Sequence, residues 1–181
     1  MRQRDIPELG RQVFTIPNAL SLLRLAMVPV VVVLLLMRAD VAAVIIFVLA
    51  AVTDFLDGAL ARATQPTVVG KILDPVADRL MLSSTAVVLA IRGALPVWVV
   101  GILVARDVLG LIGGLTFGRK LSVNWVGKAA TALLMVAVAL IIFSPGVVGE
   151  VVFYVGFALS LLAALMYTVN LSRISGSGEA R

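Results

Sequence analysis

The chain has 181 residues, of which 61% are hydrophobic, and its net charge is +5. About half of the residues of a soluble domain are apolar, so this composition and the mean hydropathy of +1.13 exclude an ordinary soluble domain. The chain has neither cysteine nor histidine, which excludes disulfides and removes the commonest general base. Its basic residues lie at the ends of apolar runs, an arrangement that indicates membrane topology and argues against nucleic acid as a partner.

The first 15 residues mix charged and apolar side chains. This mixture predicts a short amphipathic helix that lies at the membrane interface. A secretory signal is the competing interpretation, but the charged region is too long and no convincing cleavage site follows it. Pro17 and Asn18 then suit the start of the first long helix.

Six apolar stretches follow, separated by short connections that contain glycine, proline or charged residues. A helix needs about 20 residues to cross a bilayer, and each stretch has this length. The sequence therefore predicts an all-α integral membrane protein with six transmembrane helices, as one domain over residues 16–172 followed by a tail at 173–181. The predicted spans are 18–38, 41–63, 70–91, 95–117, 124–144 and 147–172.

The distribution of lysine and arginine predicts the orientation in the membrane. With six spans both termini lie on one side, and the other side carries only Arg38 and Arg92. We expect the basic side to be cytoplasmic, with both termini and the loop between the second and third spans on it, in the cell (inner) membrane. The basic residues of that side are Arg2, Arg4, Arg11, Arg62, Lys71, Arg119, Lys120, Arg173 and Arg181.

Four of the ten acidic residues flank this cytoplasmic loop. Asp54 and Asp57 end the second span, and Asp74 and Asp78 begin the third. Spacings of three and four residues place each pair on one face of a helix. Four carboxylates that converge repel each other unless a cation lies between them, and oxygen ligands suit Mg²⁺, Mn²⁺ or Ca²⁺. The competing interpretation is a set of ordinary solvated charges, which the membrane-spanning flanks make less plausible.

Further charged residues fall within the predicted spans, all near their cytoplasmic ends: Arg24, Arg79, Arg106, Asp107 and Lys128. A charge at the bilayer centre costs about 2.5–3.5 kcal/mol, so these side chains and the four aspartates are expected to line one polar chamber open to the cytoplasm. For Arg79 and Lys128 the alternative is snorkelling to the interface, and for Arg106 and Asp107 it is a structural ion pair.

The loop also carries features that suit a phosphate ligand. A cation offsets the charge of a diphosphate and stabilises a transferring phosphoryl group. Gly58 and Gly70 allow a phosphate or nucleotide to approach the backbone, although each glycine alone also suits helix packing. Arg62 and Lys71 can add charge-assisted contacts to phosphate oxygens.

These residues form one pattern of eight fixed positions, which reads Asp54-x-x-Asp57-Gly58-x-x-Ala61-Arg62, seven residues, then Gly70-x-x-x-Asp74-x-x-x-Asp78. The pattern resembles the signature of the CDP-alcohol phosphatidyltransferases, and every defining position is filled. Outside it, Ile16 to Pro29 looks like the first span of that family. Arg106-Asp107 and the run from Val126 to Thr131 look like its later polar positions.

The resemblance implies a six-helix membrane enzyme, usually homodimeric, that uses a CDP-activated lipid and two divalent cations (Mg²⁺ or Mn²⁺). It implies that the four aspartates hold the metals and that Asp78 is also the catalytic base. The residues implied to contact the cytidine nucleotide are Asp57, Gly58, Ala61, Arg62 and Gly70. The predicted reaction is phosphatidyl transfer from CDP-diacylglycerol to a glycerol-type hydroxyl, with release of CMP.

The expected acceptor follows from two places where this sequence differs from the family's pattern. Family members that use glycerol 3-phosphate commonly have Gly-Lys-x-Lys-Thr and Arg-Glu where this chain has Gly127-Lys128-Ala129-Ala130-Thr131 and Arg106-Asp107. These differences favour a cardiolipin synthase with phosphatidylglycerol as acceptor. The alternative is phosphatidylglycerophosphate synthesis from glycerol 3-phosphate, and an inositol phosphate acceptor is less expected. The candidate acceptor-binding residues are Lys71, Arg106, Asp107 and Lys128.

Two other classes of protein remain possible from the residues alone. A prenyltransferase also pairs aspartates with Mg²⁺ and a diphosphate, but it generally has more spans and lacks the glycine and arginine frame. A divalent-cation transporter requires acidic residues along a path through both leaflets. In this chain the outer half offers only Asp40 and Glu150.

Overall fold

The computed structural model describes residues 16–60, 70–117 and 125–176, and describes side chains over 19–53, 76–113 and 125–166. The described chain is helical apart from short turns and contains no strand. The prediction of six helices is confirmed, whereas the predicted interfacial helix at 1–15 lies outside the described residues. The helices are α1 (Ile16–Leu36), α2 (Asp40–Leu60), α3 (Gly70–Ile91), α4 (Val97–Phe117), α5 (Trp125–Phe143) and α6 (Val147–Gly176).

The predicted spans agree with these helices to within a few residues at most ends. The largest difference is at α6, which continues to Gly176 instead of ending at residue 172. No proline or glycine precedes Gly176 in this last part of the chain, so nothing in the local sequence stops the helix earlier.

Two helices end in left-handed residues that reverse the chain. After α3, Gly93 has φ 77°, its amide donates to the carbonyl of Ala90, and the amide of Ala94 donates to that of Leu89. After α1, Arg38 adopts φ 60° and the same pair of hydrogen bonds forms. This pattern is the Schellman motif, in which glycine is the preferred left-handed residue.

Each helix packs against neighbours that bury a common apolar core. α1 contacts α2 and α3, α5 contacts α2, α3 and α6, and α4 contacts α3 and α6. The largest completely buried side chains include Phe47, Phe153, Leu82, Leu103 and Leu134.

The outer surface of the bundle is apolar as well. Large hydrophobic side chains such as Trp98, Leu109, Phe143, Val148 and Leu165 are mostly exposed. Helices that are apolar all round are typical of membrane spans. Among the described residues, Ala19–Leu36, Trp125–Phe143 and Val147–Met166 are long and apolar enough to cross a bilayer by length and composition. The all-α membrane class is thus confirmed, while six crossings stay a prediction.

Side-chain contacts mark the two ends of the bundle. Near the beginning of α1 and of α3, Arg24 contacts Asp78. At the opposite end, Arg92 after α3 contacts Asp40 at the start of α2 and the carbonyl of Leu35 in α1. α1 and α3 therefore run parallel, and α2 runs antiparallel to both.

Candidate active site

The four motif aspartates lie at the ends of two helices, as predicted. Asp54 and Asp57 belong to the last turns of α2, and Asp74 and Asp78 to the first turns of α3. Among these four, Asp78 is the one whose side chain the structure describes. Within the described side chains no three acidic groups lie together, so the predicted metal cluster remains a prediction.

The other residues predicted to contact the nucleotide or its phosphates also fall partly inside and partly outside the described residues. Gly58 lies in α2, and Gly70 and Lys71 begin α3. Ala61 and Arg62 lie outside the described residues.

Asp78 is held by an arginine of another helix. Arg24 Nη1 donates to Asp78 Oδ1 at 2.7 Å, and the Arg24 side chain is only 3% exposed. A buried charge requires a partner of opposite sign, and this contact gives Arg24 that partner and fixes the orientation of the Asp78 carboxylate. The two residues line a narrow pocket between α1, α2, α3 and α5, together with Phe47, Ala50, Ala51, Met81 and Met135. The sequence had indicated both residues as members of one polar chamber, and this contact brings them together.

A buried carboxylate joins α3 to α4. The Asp107 side chain is 7% exposed, and its Oδ1 accepts a hydrogen bond from Arg106 Nη1 at 3.0 Å. Its Oδ2 accepts one from Ser83 Oγ at 2.8 Å. The main-chain carbonyl of Asp107 accepts a third bond, from Arg79 Nη1 at 2.6 Å. Since both carboxylate oxygens have protein donors, Asp107 is arranged to hold other side chains in place.

Lys128 occupies a different environment from the other candidate acceptor residues. It is exposed on the first turn of α5, and its Nζ lies 5.7 Å from the centroid of the Trp125 ring. Trp125 is itself 81% exposed. An exposed cation over an exposed tryptophan at a helix end is typical of the membrane interface. Two positions further on, Ala130 is completely buried and faces the bundle.

At the opposite end of the bundle Asp40 forms a bidentate ion pair with Arg92. The Nη1 to Oδ1 distance is 2.5 Å and the Nη2 to Oδ2 distance is 2.8 Å. The hydrogen bonds from Arg92 lower the pKa of Asp40 below its ordinary value, although partial burial opposes the shift. The same contact raises the pKa of Arg92. This pair lies far along α3 from Asp78 and is a structural contact of the turn.

Sequence reasoning missed Ser83 and Gly110 as parts of the polar region. A serine on an apolar helix carries little signal, and a glycine in a membrane helix is ordinary. The available signal was their spacing. Ser83 follows Arg79 by one helical turn, and Gly110 follows Asp107 by nearly one turn, so each lies on the same face as a charged residue.

These features define an all-α membrane protein in which charged side chains of α1, α3 and α4, including Asp78 of the motif, make contacts between helices. Residues 14–165 match the family model described as CDP-alcohol phosphatidyltransferase. The chain therefore belongs to the CDP-alcohol phosphatidyltransferase family and is an enzyme. This membership confirms the resemblance in the motif and favours an enzyme over a cation transporter.

Two relatives of this chain have names that describe different activities. The chain is 41% identical over 146 residues to the cardiolipin synthase (CMP-forming) of Streptomyces coelicolor, which covers 75% of this chain and 68% of that protein. It is 36% identical over 167 residues to the CDP-diacylglycerol–glycerol-3-phosphate 3-phosphatidyltransferase of Shigella flexneri serotype 5b, which covers 84% of this chain and 88% of that protein. These relatives thus include one named for cardiolipin synthesis and one named for glycerol 3-phosphate as acceptor.

Proposed function

We propose that this enzyme transfers the phosphatidyl group of CDP-diacylglycerol to a hydroxyl of phosphatidylglycerol, which yields cardiolipin and CMP. The reaction class rests on the family membership and on the complete motif. The choice of acceptor rests on Ala130. The alternative product is phosphatidylglycerophosphate, with glycerol 3-phosphate as acceptor.

Ala130 carries the argument for the acceptor because of where it lies. Family members that use glycerol 3-phosphate commonly have a lysine at this position of the motif. Here the position is completely buried and holds a methyl group. A free phosphomonoester carries more negative charge than the phosphodiester of phosphatidylglycerol, so it needs more cationic partners. An interior that lacks a lysine at position 130 therefore suits the phosphodiester better than the phosphomonoester.

Asp78 is proposed as the general base. It accepts the proton of the acceptor hydroxyl while that oxygen attacks the β-phosphorus, and the bond from phosphorus to the CMP oxygen breaks. The ion pair with Arg24 holds the carboxylate in a fixed orientation, which a general base requires. Much of the rate would come from holding the two lipids in line.

The four motif aspartates are proposed to hold two divalent cations. A set of carboxylate oxygens suits Mg²⁺ or Mn²⁺, and such ions supply charge neutralisation of the diphosphate and of the departing CMP. Five residues around them are proposed to contact the cytidine nucleotide: Asp57, Gly58, Ala61, Arg62 and Gly70.

For the acceptor we propose contacts with Lys71, Arg106 and Lys128. Asp107 belongs to the same region, where its contacts suit the orientation of Arg106. We further propose that the enzyme acts as a homodimer in the cell (inner) membrane, with both termini and this site on the cytoplasmic side. The lysine and arginine distribution supports that orientation.

The test is a product analysis with purified protein in lipid nanodiscs. CDP-diacylglycerol is supplied with either phosphatidylglycerol or glycerol 3-phosphate, in the presence of Mg²⁺ or Mn²⁺, and lipid products and CMP are measured. Cardiolipin is the expected product. Formation of phosphatidylglycerophosphate alone would select the alternative acceptor, and no CMP with either acceptor would refute the proposal.

Asp78→Asn tests the base directly. It should abolish CMP release with little change in the circular dichroism spectrum. Asp40→Asn is the matched control, because it also removes a carboxylate that pairs with an arginine, at the opposite end of the bundle. Asp40→Asn should retain turnover, and an equal loss in both variants would contradict a specific role for Asp78.

A further inference from the structure

Two consecutive residues of α3 make contacts with two different helices. Asp78 contacts Arg24 of α1, whereas Arg79 contacts the main chain of α4. Successive residues of a helix point about 100° apart, so these contacts hold α3 from two directions. The rotation of α3 about its own axis is therefore restrained by charged groups on both sides.

The α4 side of this restraint is built on one buried residue. Arg79 and Ser83 are four residues apart and share a face of α3. Both donate to Asp107, Arg79 to its carbonyl oxygen at 2.6 Å and Ser83 to its carboxylate at 2.8 Å. Two hydrogen bonds from successive turns to a single residue oppose both rotation and sliding of α3 against α4.

Gly110 provides the space for the arginine. A Cβ atom at Gly110 would lie 2.6 Å from Nη1, 3.2 Å from Nη2 and 3.3 Å from Cζ of Arg79. The guanidinium group thus lies against the backbone of α4, where any side chain would displace it. A flexible arginine can move away, but it would then lose its bond to the Asp107 carbonyl.

We propose that Arg79, Ser83, Asp107 and Gly110 form an α3–α4 clamp that sets the axial rotation of α3 and thereby positions Asp78. The clamp residues act through α3 and are positioning residues. The proposal deepens the proposed function and rests on it, since it takes Asp78 as the base.

The geometry of a helix gives the expected size of the effect. A side-chain carboxylate lies about 5 Å from the helix axis, so a rotation of roughly 10–20° displaces it by about 1–2 Å. Catalytic groups have to be held to within about 0.5 Å, and a misplacement of about 1 Å can cost on the order of 100-fold in rate. A loosened clamp should therefore lower the turnover rate by about 10-fold or more.

Gly110→Ala is the variant that tests the clamp. Gly101 lies on the same helix, and a Cβ atom added there would meet nothing within 4 Å, so Gly101→Ala is the matched control. We expect Gly110→Ala to lower kcat by about 10-fold or more, with KM for CDP-diacylglycerol within about 2-fold of wild type. Gly101→Ala should match wild type in both constants.

A double-mutant cycle separates the clamp from general packing. If Gly110→Ala acts by displacing the guanidinium, it should have no further effect in an Arg79→Ala background. Additive losses of kcat in the double variant would overturn the proposal. Equal kcat in Gly110→Ala and Gly101→Ala would overturn it as well.

A structural measurement tests the clamp without reference to turnover. The chain has no cysteine, so cysteines that replace the exposed Leu80 of α3 and Leu109 of α4 can carry a pair of spin labels. In protein diluted with unlabelled chains, Gly110→Ala should shift or broaden the distance distribution and Gly101→Ala should not. Unchanged distances in Gly110→Ala would overturn the clamp even if kcat falls. If the wild type releases no CMP, the proposed function fails while this comparison still decides the clamp.

Discussion

Gly156 of α6 makes one of the closest helix contacts in the bundle. A Cβ atom there would lie 3.1 Å from Leu134 Cγ and 3.2 Å from the Leu134 backbone nitrogen of α5. Carbon atoms in contact prefer about 3.5–4.0 Å, so Gly156→Ala forces α5 away by a few tenths of an ångström. Overpacking of this kind costs about 1–3 kcal/mol. In a chain of this size each kcal/mol lowers Tm by about 2–4 °C, so we expect Gly156→Ala to melt roughly 2–12 °C below an alanine substitution at an uncrowded glycine of the bundle.

Thermal unfolding followed by circular dichroism in detergent micelles measures this loss. Gly101→Ala is again the control, because its new methyl group has nothing within 4 Å. Alanine favours a helix over glycine by about 1 kcal/mol, so the control should melt at or slightly above wild type. Adding Leu134→Ala should relieve part of the clash, and the double variant should lose less than the sum of the two changes. A Gly156→Ala protein that melts with the control would refute the packing argument.

Three further changes test other parts of the chain. Ala130→Lys should raise the use of glycerol 3-phosphate relative to phosphatidylglycerol in product analysis, because it adds an interior cation; an unchanged acceptor ratio in folded protein would contradict the argument. Asp40→Asn should lower stability by about 1 kcal/mol at pH 7, since the pair is partly exposed. Because the pKa of folded Asp40 lies below its unfolded value, this contribution is present above about pH 4 and is lost as the pH falls through the folded pKa. The melting temperatures of wild type and Asp40→Asn should therefore converge at low pH, and a difference that stays constant with pH would refute the linkage. Arg38→Gly should be more stable than Arg38→Ala by about 1 kcal/mol, because φ 60° strains any residue with a side chain; equal melting temperatures would contradict this.

The helices were predictable because apolar length and helix breakers are local properties of the sequence. Gly93 marks the end of α3 through its own preference for a left-handed conformation. Arg38 takes the same conformation without that preference. α2 begins only two residues later, and the tight chain reversal imposes the backbone angle. Such a tertiary requirement leaves no local signal.

The candidate site was predictable to the level of residue type and helix position. The aspartate spacing placed Asp78 at the start of the third helix, where it lies. Its partner Arg24 is 54 residues away, and the contact between Ser83 and Asp107 spans 24 residues. Whether such residues meet depends on how each helix is rotated, and helices that are apolar on all sides carry almost no rotational signal in their pattern.

The same property explains why this bundle contains both glycine contacts and buried charges. In lipid, an apolar side chain is solvated on the outside of a bundle as well as on the inside, so burial alone does not select a rotation for each helix. α6 is positioned by close contacts at Gly149 and Gly156, which accept only one helix face. α3 is instead held by paired charges at Asp78 and Arg79. The steric contacts of α6 involve the apolar residues Leu134 and Ile141 of α5, whereas the charged contacts of α3 include the proposed base itself. Changes at the glycines of α6 should therefore reduce stability more than turnover, and changes at the clamp of α3 should do the opposite.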